Sequence, residues 1–441
     1  MNTTGWLKGL EVTAGGTGIV SHAGLALLRA LADKTGLTDG LSKALASRRL
    51  LVHDRGRVLC DLACAIADGA EVISDFRVMA DQRELFGLVA SVPTCWRALN
   101  ETAAGGGAAL AQITAAVNAA RRVAWARAEA RHGALPGVAI ADKVLAGVTC
   151  LRLDASVVAC HSEKEGAEPN FKGFGLHPLG CWCDNTAEPL AARPGHQLIY
   201  SVGWELGERE RTAIALVPGQ AWQIAIDHHG EVRERRADDA CGDRGCAHRK
   251  CWREEAHVTE LSALLRQDPA GDQLAGWPAT MRVFARRERP HPGAQLTLFE
   301  AEDGWRYSLW ATNLPTRLRG WRADPAYIDA AHRVHARVED AIRTGKDCGI
   351  GKYPSTSLAM NKAWQAAALT AAALLAWLKL LALDGRLAKA EPKTLRYRIL
   401  HAAARLTRSS RQRRLKIQAS WPWAADIITA WEQISALPQP P

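Results

Sequence analysis

From Val20 to about Leu135 apolar residues recur at three and four spacing, in HAGLALLRALADKTGL and in RVLCDLACAIADGAEVISDFRVMADQRELFGLV, which is the period of amphipathic helices. Asp61 and Asp68 fall on one of them. ETAAGGGAALA reads as a flexible joint, and AAVNAARRVAWARAEARHGAL after it as a basic amphipathic helix ending at Pro136. Around Val148 the period switches to an extended one. VTCLRLDASVVAC, FGLHPLGCWCD and EPLAARPG are short runs bounded by Gly, Pro and Asn, and predict a three-stranded meander. Between Leu198 and Asn313 come LIYSVGWEL, AWQIAID, MRVFARRE and WRYSLWATN, again strand-like. After Ala326 the helical period returns in YIDAAHRVHARVEDAIRTGKD and holds through an apolar helix into a basic tail. Strands framed by helices predict an α/β architecture.

Composition narrows this. A chain of 441 residues, 48% hydrophobic, has the apolar content for two or three domains. Fifty-six Lys and Arg against 46 Asp and Glu give a formal charge of +10 and point to an anionic partner. The eleven cysteines are scattered and odd in number, and MNTTGWLKGLEV lacks the basic flank and apolar run of a signal peptide, so a reducing, cytoplasmic protein is expected. Ala363–Leu383 is long enough to span a bilayer. Gln365 and Lys379 interrupt it, it is mostly alanine and no second span accompanies it, so a buried helix with no membrane partner is expected.

Two carboxylates stand out. Asp154 follows Leu151 and Leu153, so alternation places it with Arg152 on the polar face of a strand. There it either ends the strand by capping a turn or waits for a metal. Glu339 lies on a helix whose core side is marked by Val334, Val338 and Ile342; four residues from Arg343, it is either a surface ion pair or a ligand. Two magnesium ions about 3.5–4 Å apart need hard oxygen ligands of this kind to activate an attacking oxygen and stabilise a leaving one.

HDRGRVLCDLACAIADGAEVISD, LRLDASVVACHSEKEGAEPNFKGFGLHPLG, RRERPHPGAQLTLFE, VHARVEDAIRTGKDCGIGKYPS and AEPKTLRYRILHAAARL together resemble the bacterial transposases of the insertion-sequence 1380 family, within the DDE class, over nearly the whole chain. The resemblance implies a ribonuclease-H-like catalytic core with an inserted β region, a helical N-terminal domain and a helical basic C-terminus. The matching boundaries are 1–140 for a helical DNA-binding domain, 141–197 for the first part of the core and 198–322 for the β-rich insertion. The closing helices then take 323–390 and the basic segment 391–441. It further implies Asp154 as the first catalytic acid and Glu339 as the last, Mg2+ or Mn2+ as cofactor, and Arg343 and Lys346 leaning on DNA phosphates. The partners would be double-stranded DNA at element ends and target, in a homo-oligomer at the nucleoid, and the chemistry phosphodiester hydrolysis and strand transfer.

The family's second aspartate, which ends a strand between these two acids, is not found. The chain runs from Arg193–Gly195 straight into HQLIYSVGWEL, as if several dozen residues were lost. Asp227, closing AWQIAID, is the best local substitute, ahead of Asp238, Asp239 and Asp243 in a charged loop. Losing a metal-clamping carboxylate removes most two-metal chemistry. A non-enzymatic relic that still binds element DNA is therefore the rival to an active transposase, and a general ribonuclease-H-like nuclease the third reading.

Other clusters carry chemistry of their own. Cys241, Cys246, His248, Cys251 and His257 are numerous enough for a structural tetrahedral Zn2+, although the spacing matches no standard finger and a reduced solvent-facing loop is the alternative. Cys181 and Cys183 flank Trp182 and are expected to be buried. From Pro392 to Ala425 there is no acid but there are Lys393, Arg396, Arg398, Arg405, Arg408, Arg411, Arg413, Arg414 and Lys416, a run better explained by phosphate contact than by a solvated helix. Arg286, Arg287 and Arg289 make a second basic patch suited to a strand edge along a duplex. His161, Lys164, Lys172 and His177 follow the first acid without a readable role.

Overall fold

A computed structural model describes residues 11, 13–47, 51–145, 147–190, 199–232, 255–290, 293–315, 317–318, 321–322, 324–409 and 412–440. It is a mixed α/β protein of helices and several antiparallel sheets, in two units: Met1–Pro136 with Leu153–Ala191 and Glu339–Pro441, and Gly137–Arg152 with Ala192–Val338. Of the expected segments 1–140, 323–390 and 391–441, residues 1–136, 339–390 and 391–441 fall in the first unit, and 323–338 in the second.

The core of the first unit forms around the helix Leu358–Ala382. Its alanines let neighbours approach closely, and helices Leu25–Lys34, Arg55–Asp68, Val92–Ala104, Gly106–His132 and Ala424–Ala436 all pack on it. Among the described residues it is the one helix long and apolar enough to cross a membrane, yet Trp364, Ala367, Leu374 and Trp377 are buried against protein. Helix Arg55–Asp68 begins where the Asp54 side chain accepts the Arg57 amide at 2.7 Å and ends at Gly69, whose φ of 118° suits glycine alone. At Gly56 an added Cβ would lie 2.1 Å from the Ser42 backbone nitrogen, so helix Leu37–Ala44 can approach only because that side chain is absent. The glycine-rich joint is narrower than its sequence suggests: helix Val92–Ala104 gives way to helix Gly106–His132 across Gly105, with φ of 58° at Gly106.

The first unit's strands attach to this helical body. Leu151–Ala155, Leu179–Cys183 and Glu188–Pro189 form a three-stranded sheet in that order, and Val158–Ala159, Gly173–Leu176 and Glu168–Asn170 a second. Glu188, fully buried, pins the first sheet to the helices. Its carboxylate accepts from Arg121 Nε at 2.8 Å, Trp377 Nε1 at 3.0 Å, Thr186 Oγ1 at 2.8 Å and Trp125 Nε1.

The C-terminal basic segment is helical over Pro392–Leu395 and Arg396–Leu400, but departs from the helical expectation after Leu400. Ala404–Ser409 and Gln412–Ile417 pair as an antiparallel hairpin, and only Ala424–Ala436 beyond it is helical. Ala404, Leu406, Leu415 and Ile417 alternate with cations, so a two-residue period wins and one face packs with Val20 and Ala23.

The second unit is built on a five-stranded sheet ordered Ser201–Trp204, Arg306–Thr312, Arg282–Glu288, Ala256–Glu260 and Gln223–Ile224, its pairs antiparallel. Alternation buries both faces. Phe284 and Trp310 stack at 5.7 Å beneath helix Pro325–Arg333, while Val283, Leu309 and Leu265 fill the other side.

Candidate active site

Asp154 sits on Leu151–Ala155 as expected, but the strand's faces are reversed. Arg152 is buried and Asp154 half-buried, while Leu153 is 57% exposed. The leucine side is the outer one because the sheet ends there with no covering layer; Leu179 on the neighbouring strand is also 71% exposed.

Glu339 lies exposed in the first turn of helix Arg337–Asp347, with Val338 turned into the core. The surface pair with Arg343, the alternative to a ligand role, does not form among the described residues. Arg343 instead donates to Asp340 and Glu391, each at 3.0 Å. Neither the Asp154 nor the Glu339 carboxylate makes a hydrogen bond or ion pair with the described residues. The helix meets the acid-bearing segment at Lys346, whose Nζ is 3.4 Å from the Val157 carbonyl oxygen. Glu339 is two turns earlier, about 10 Å along the axis.

Asp227 belongs to the other unit, and its carboxylate is used locally. Oδ1 accepts the amides of His229 at 2.8 Å and Glu231 at 3.0 Å, closing the turn after Gln223–Ile224. Burial acts to raise its pKa, but those two amides and the neighbouring histidines outweigh it and hold the carboxyl below the usual range. Asp227 is thus a turn cap. Asp238, Asp239 and Asp243, and the cluster Cys241, Cys246, His248 and Cys251, lie outside the described residues. His257 is on strand Ala256–Glu260, with its ring against Trp305 at 5.5 Å.

The motif after Asp154 is a clasp. Lys164 Nζ donates to the carbonyls of Tyr353 and Ser355 at 2.6 and 2.9 Å, and Glu165 accepts the Leu358 amide at 2.8 Å, capping the central helix. This accounts for Lys164, which the sequence left open.

Among the described residues, one group of three metal-type ligands gathers, and it contains neither candidate acid: His22, Asp68 and His401. Sequence gave no signal for it, since 333 positions separate Asp68 from His401. His22 Nδ1 is 2.7 Å from Asp68 Oδ2, and His401 Nε2 is 3.1 Å from Oδ1. The His22 contact is a hydrogen bond, whereas His401 Nε2 bonds the Asp68 backbone carbonyl at 3.0 Å and Asp68 Oδ1 has no hydrogen-bond partner among the described residues. Burial works to raise the Asp68 carboxyl, but the two histidines outweigh it and hold it low; the bond to Asp68 in turn raises His401.

The sequence profile of one family, Transposase DDE domain group 1, matches residues 4–199 and 242–439. The chain belongs to that family. No curated protein matches it. Asp154 and Glu339 lie within the matched stretches of this DDE transposase, and Asp227 in the interval 200–241 that is not matched. DDE transposases generally use a divalent metal. Asp154 and Glu339 are hard oxygen donors of the kind such an ion takes.

The transposase's expected DNA-binding cations separate into two groups. Arg286 is buried and donates to Asp329 at 2.8 Å and Glu288 at 3.0 Å, so the phosphate role expected for it is corrected to an internal ion pair. Arg287 lies between Trp222 and Trp305, 4.4 and 4.6 Å from their rings, and burial lowers its pKa. Arg396 caps helix Arg55–Asp68, donating to Ala67 O at 2.9 Å, and Lys393 pairs with Asp347 at 3.2 Å. Arg413 donates to the carbonyls of Glu84 and Leu85. By contrast Arg405, Arg408, Arg414 and Lys416 are exposed and make no ion pair with the described residues. Arg411 lies outside them.

Proposed function

We propose that this chain is an insertion-sequence transposase of the 1380 family with a ribonuclease-H-like site, acting on duplex DNA, in which Asp154 and Glu339 hold the divalent ion that serves phosphodiester hydrolysis and strand transfer. The observation that carries this reading is that both acids lie in one unit, inside the matched family region, with carboxylates uncommitted to any described cation. A bound Mg2+ would supply charge neutralisation at the attacked phosphate. The chain's own residues do the positioning. The Lys164 and Glu165 clasp ties the loop after Asp154 to the start of the central helix, and Lys346 ties the Glu339 helix to Val157. Arg343, held by Asp340 and Glu391, is poised to exchange these partners for phosphate.

A second reading, DNA binding without cleavage, is favoured by one observation: among the described residues the one gathering of three metal-type ligands includes neither Asp154 nor Glu339. A nicking assay on end-containing duplex with Mg2+ or Mn2+, run beside a gel shift, separates the two. Nicking that is lost in Asp154→Ala and Glu339→Ala while binding persists supports catalysis. Binding with no nicking in the wild type supports the second reading, and nicking unchanged in both variants refutes the assignment of the two acids.

A further inference from the structure

We infer that the C-terminal hairpin Ala404–Ile417 is a groove-reading β-ribbon that enters the major groove of B-form DNA. This rests on the transposase reading above and assigns to it a particular element and mode of contact.

The register fixes the chemistry of each face. Pairing Arg405 with Lys416, Leu406 with Leu415, Thr407 with Arg414 and Arg408 with Arg413 places Arg405, Thr407, Arg414 and Lys416 together on the outer face. Leu406 and Leu415 face the body. Two of these cross-strand pairs set cation directly against cation, an arrangement that destabilises a ribbon unless an anion lies over it. Nothing acidic lies between Pro392 and Ala425, and none of Arg405, Arg408, Arg414 and Lys416 has an ion-pair partner among the described residues. The hairpin thus holds repelling charges that it leaves unneutralised.

Its base is rigid. Ile19–Val20 pairs with Ala404–Arg405, the Leu406 amide donates to Gly18 O at 2.7 Å, and the Ala23 and Gly24 amides donate to Ala402 O at 3.0 Å and Leu400 O at 3.1 Å. At Gly24 an added Cβ would meet Ile399 O at 2.1 Å, so the approach depends on glycine. Arg413 holds the flank to Glu84 and Leu85. The ribbon is about 20 Å long and its strands about 4.8 Å apart, which suits the roughly 12 Å major groove and not the roughly 6 Å minor groove. Along the outer face the cations supply phosphate contacts. Thr407, Ser409 and Gln412, which share that face, supply donors and acceptors for base edges.

The test uses the full chain and a 30-base-pair mixed-sequence DNA duplex, with affinity measured by fluorescence anisotropy across a salt series. For the triple variant Arg405→Ala, Arg414→Ala, Lys416→Ala, three lost phosphate contacts predict a salt slope reduced by nearly 3 and an affinity about a hundredfold weaker at 0.15 M salt. Removing three cations elsewhere (Lys43→Ala, Arg209→Ala, Arg386→Ala) is expected to change neither by a comparable amount. Arg405→Lys with Arg414→Lys should keep the slope. Circular dichroism confirms that each variant is folded, as these outer side chains support no core contact. Methylating guanine N7 in the duplex should block binding, because that atom lines the major groove.

An unchanged slope in the triple variant, indifference to N7 methylation, or equal binding of double-stranded RNA each overturns the ribbon assignment while leaving the transposase reading intact. A wild type that binds anionic vesicles but no duplex overturns both.

Discussion

Glu188 should prove to be the residue on which the attachment of the Asp154 sheet depends. It is fully buried, and four donors converge on it: Arg121, Trp125, Thr186 and Trp377. Glu188→Ala removes the acceptor and leaves the Arg121 guanidinium, itself 8% exposed, buried without its counter-charge. Removing one partner of a buried pair costs about 3–5 kcal/mol, whereas replacing both by apolar groups of similar volume is close to neutral. The single variant is therefore expected to lose about 3–5 kcal/mol and the double variant Glu188→Leu, Arg121→Met to regain most of it. Hydrogen exchange read by mass spectrometry on peptides covering Leu179–Pro189 measures this locally, and the single variant should exchange about two to nearly four powers of ten faster. If it costs less than about 1 kcal/mol, or if the double variant is as unstable as the single, the pinning argument is wrong.

Two further predictions follow from particular contacts. The Asp68 carboxyl is held below its ordinary pKa, so its contribution is present above about pH 4 and is lost as pH falls through the lowered value; the His401 pKa is raised, so its contribution is complete below about pH 6.5 and is lost as pH rises through the raised value. The contact should thus be strongest between about pH 4 and 6.5, and the difference in melting temperature between wild type and Asp68→Asn should peak there; a pH-independent difference contradicts it. Gly56→Ala forces a methyl into the Leu41 and Ser42 backbone and should cost several kcal/mol in urea denaturation, as overpacking of a closed contact does, while Gly107→Ala, where nothing lies within 4 Å, should be nearly silent.

Periodicity alone carried the helices a long way. The helix at 358–382, the strand that presents Asp154 and the switch to a β-rich middle are all legible because each repeats its pattern over enough residues for one period to dominate. The C-terminal hairpin was not legible for the opposite reason. In ARLTRSSRQRRLKI the alternating positions are filled by Arg and Lys, whose long apolar stems suit either period, and only Leu406, Leu415 and Ile417 mark the inner face. The strand faces around Asp154 misled because alternation identifies two faces without saying which is covered. The gathering of His22, Asp68 and His401 depends on tertiary approach alone.

The basic residues carry the argument one step further. A count of charge treats Arg286, Arg396 and Arg405 alike, yet folding uses the first two internally, on a buried aspartate and on the end of a helix, and leaves the third unneutralised. An internally bonded guanidinium must break a charge-assisted bond before it can take a phosphate, so its net gain from DNA is small; an exposed one gives up only water and released counterions. The net charge of +10 therefore overstates the cations available to an anion, and their distribution matters more than their number. On this criterion the strand-borne arginines at 286 and 287 contribute little. Of the described cations expected to bind DNA, Arg405, Arg408 and Arg414 remain without an ion pair, and all lie on the hairpin, where like charges face each other across the strands.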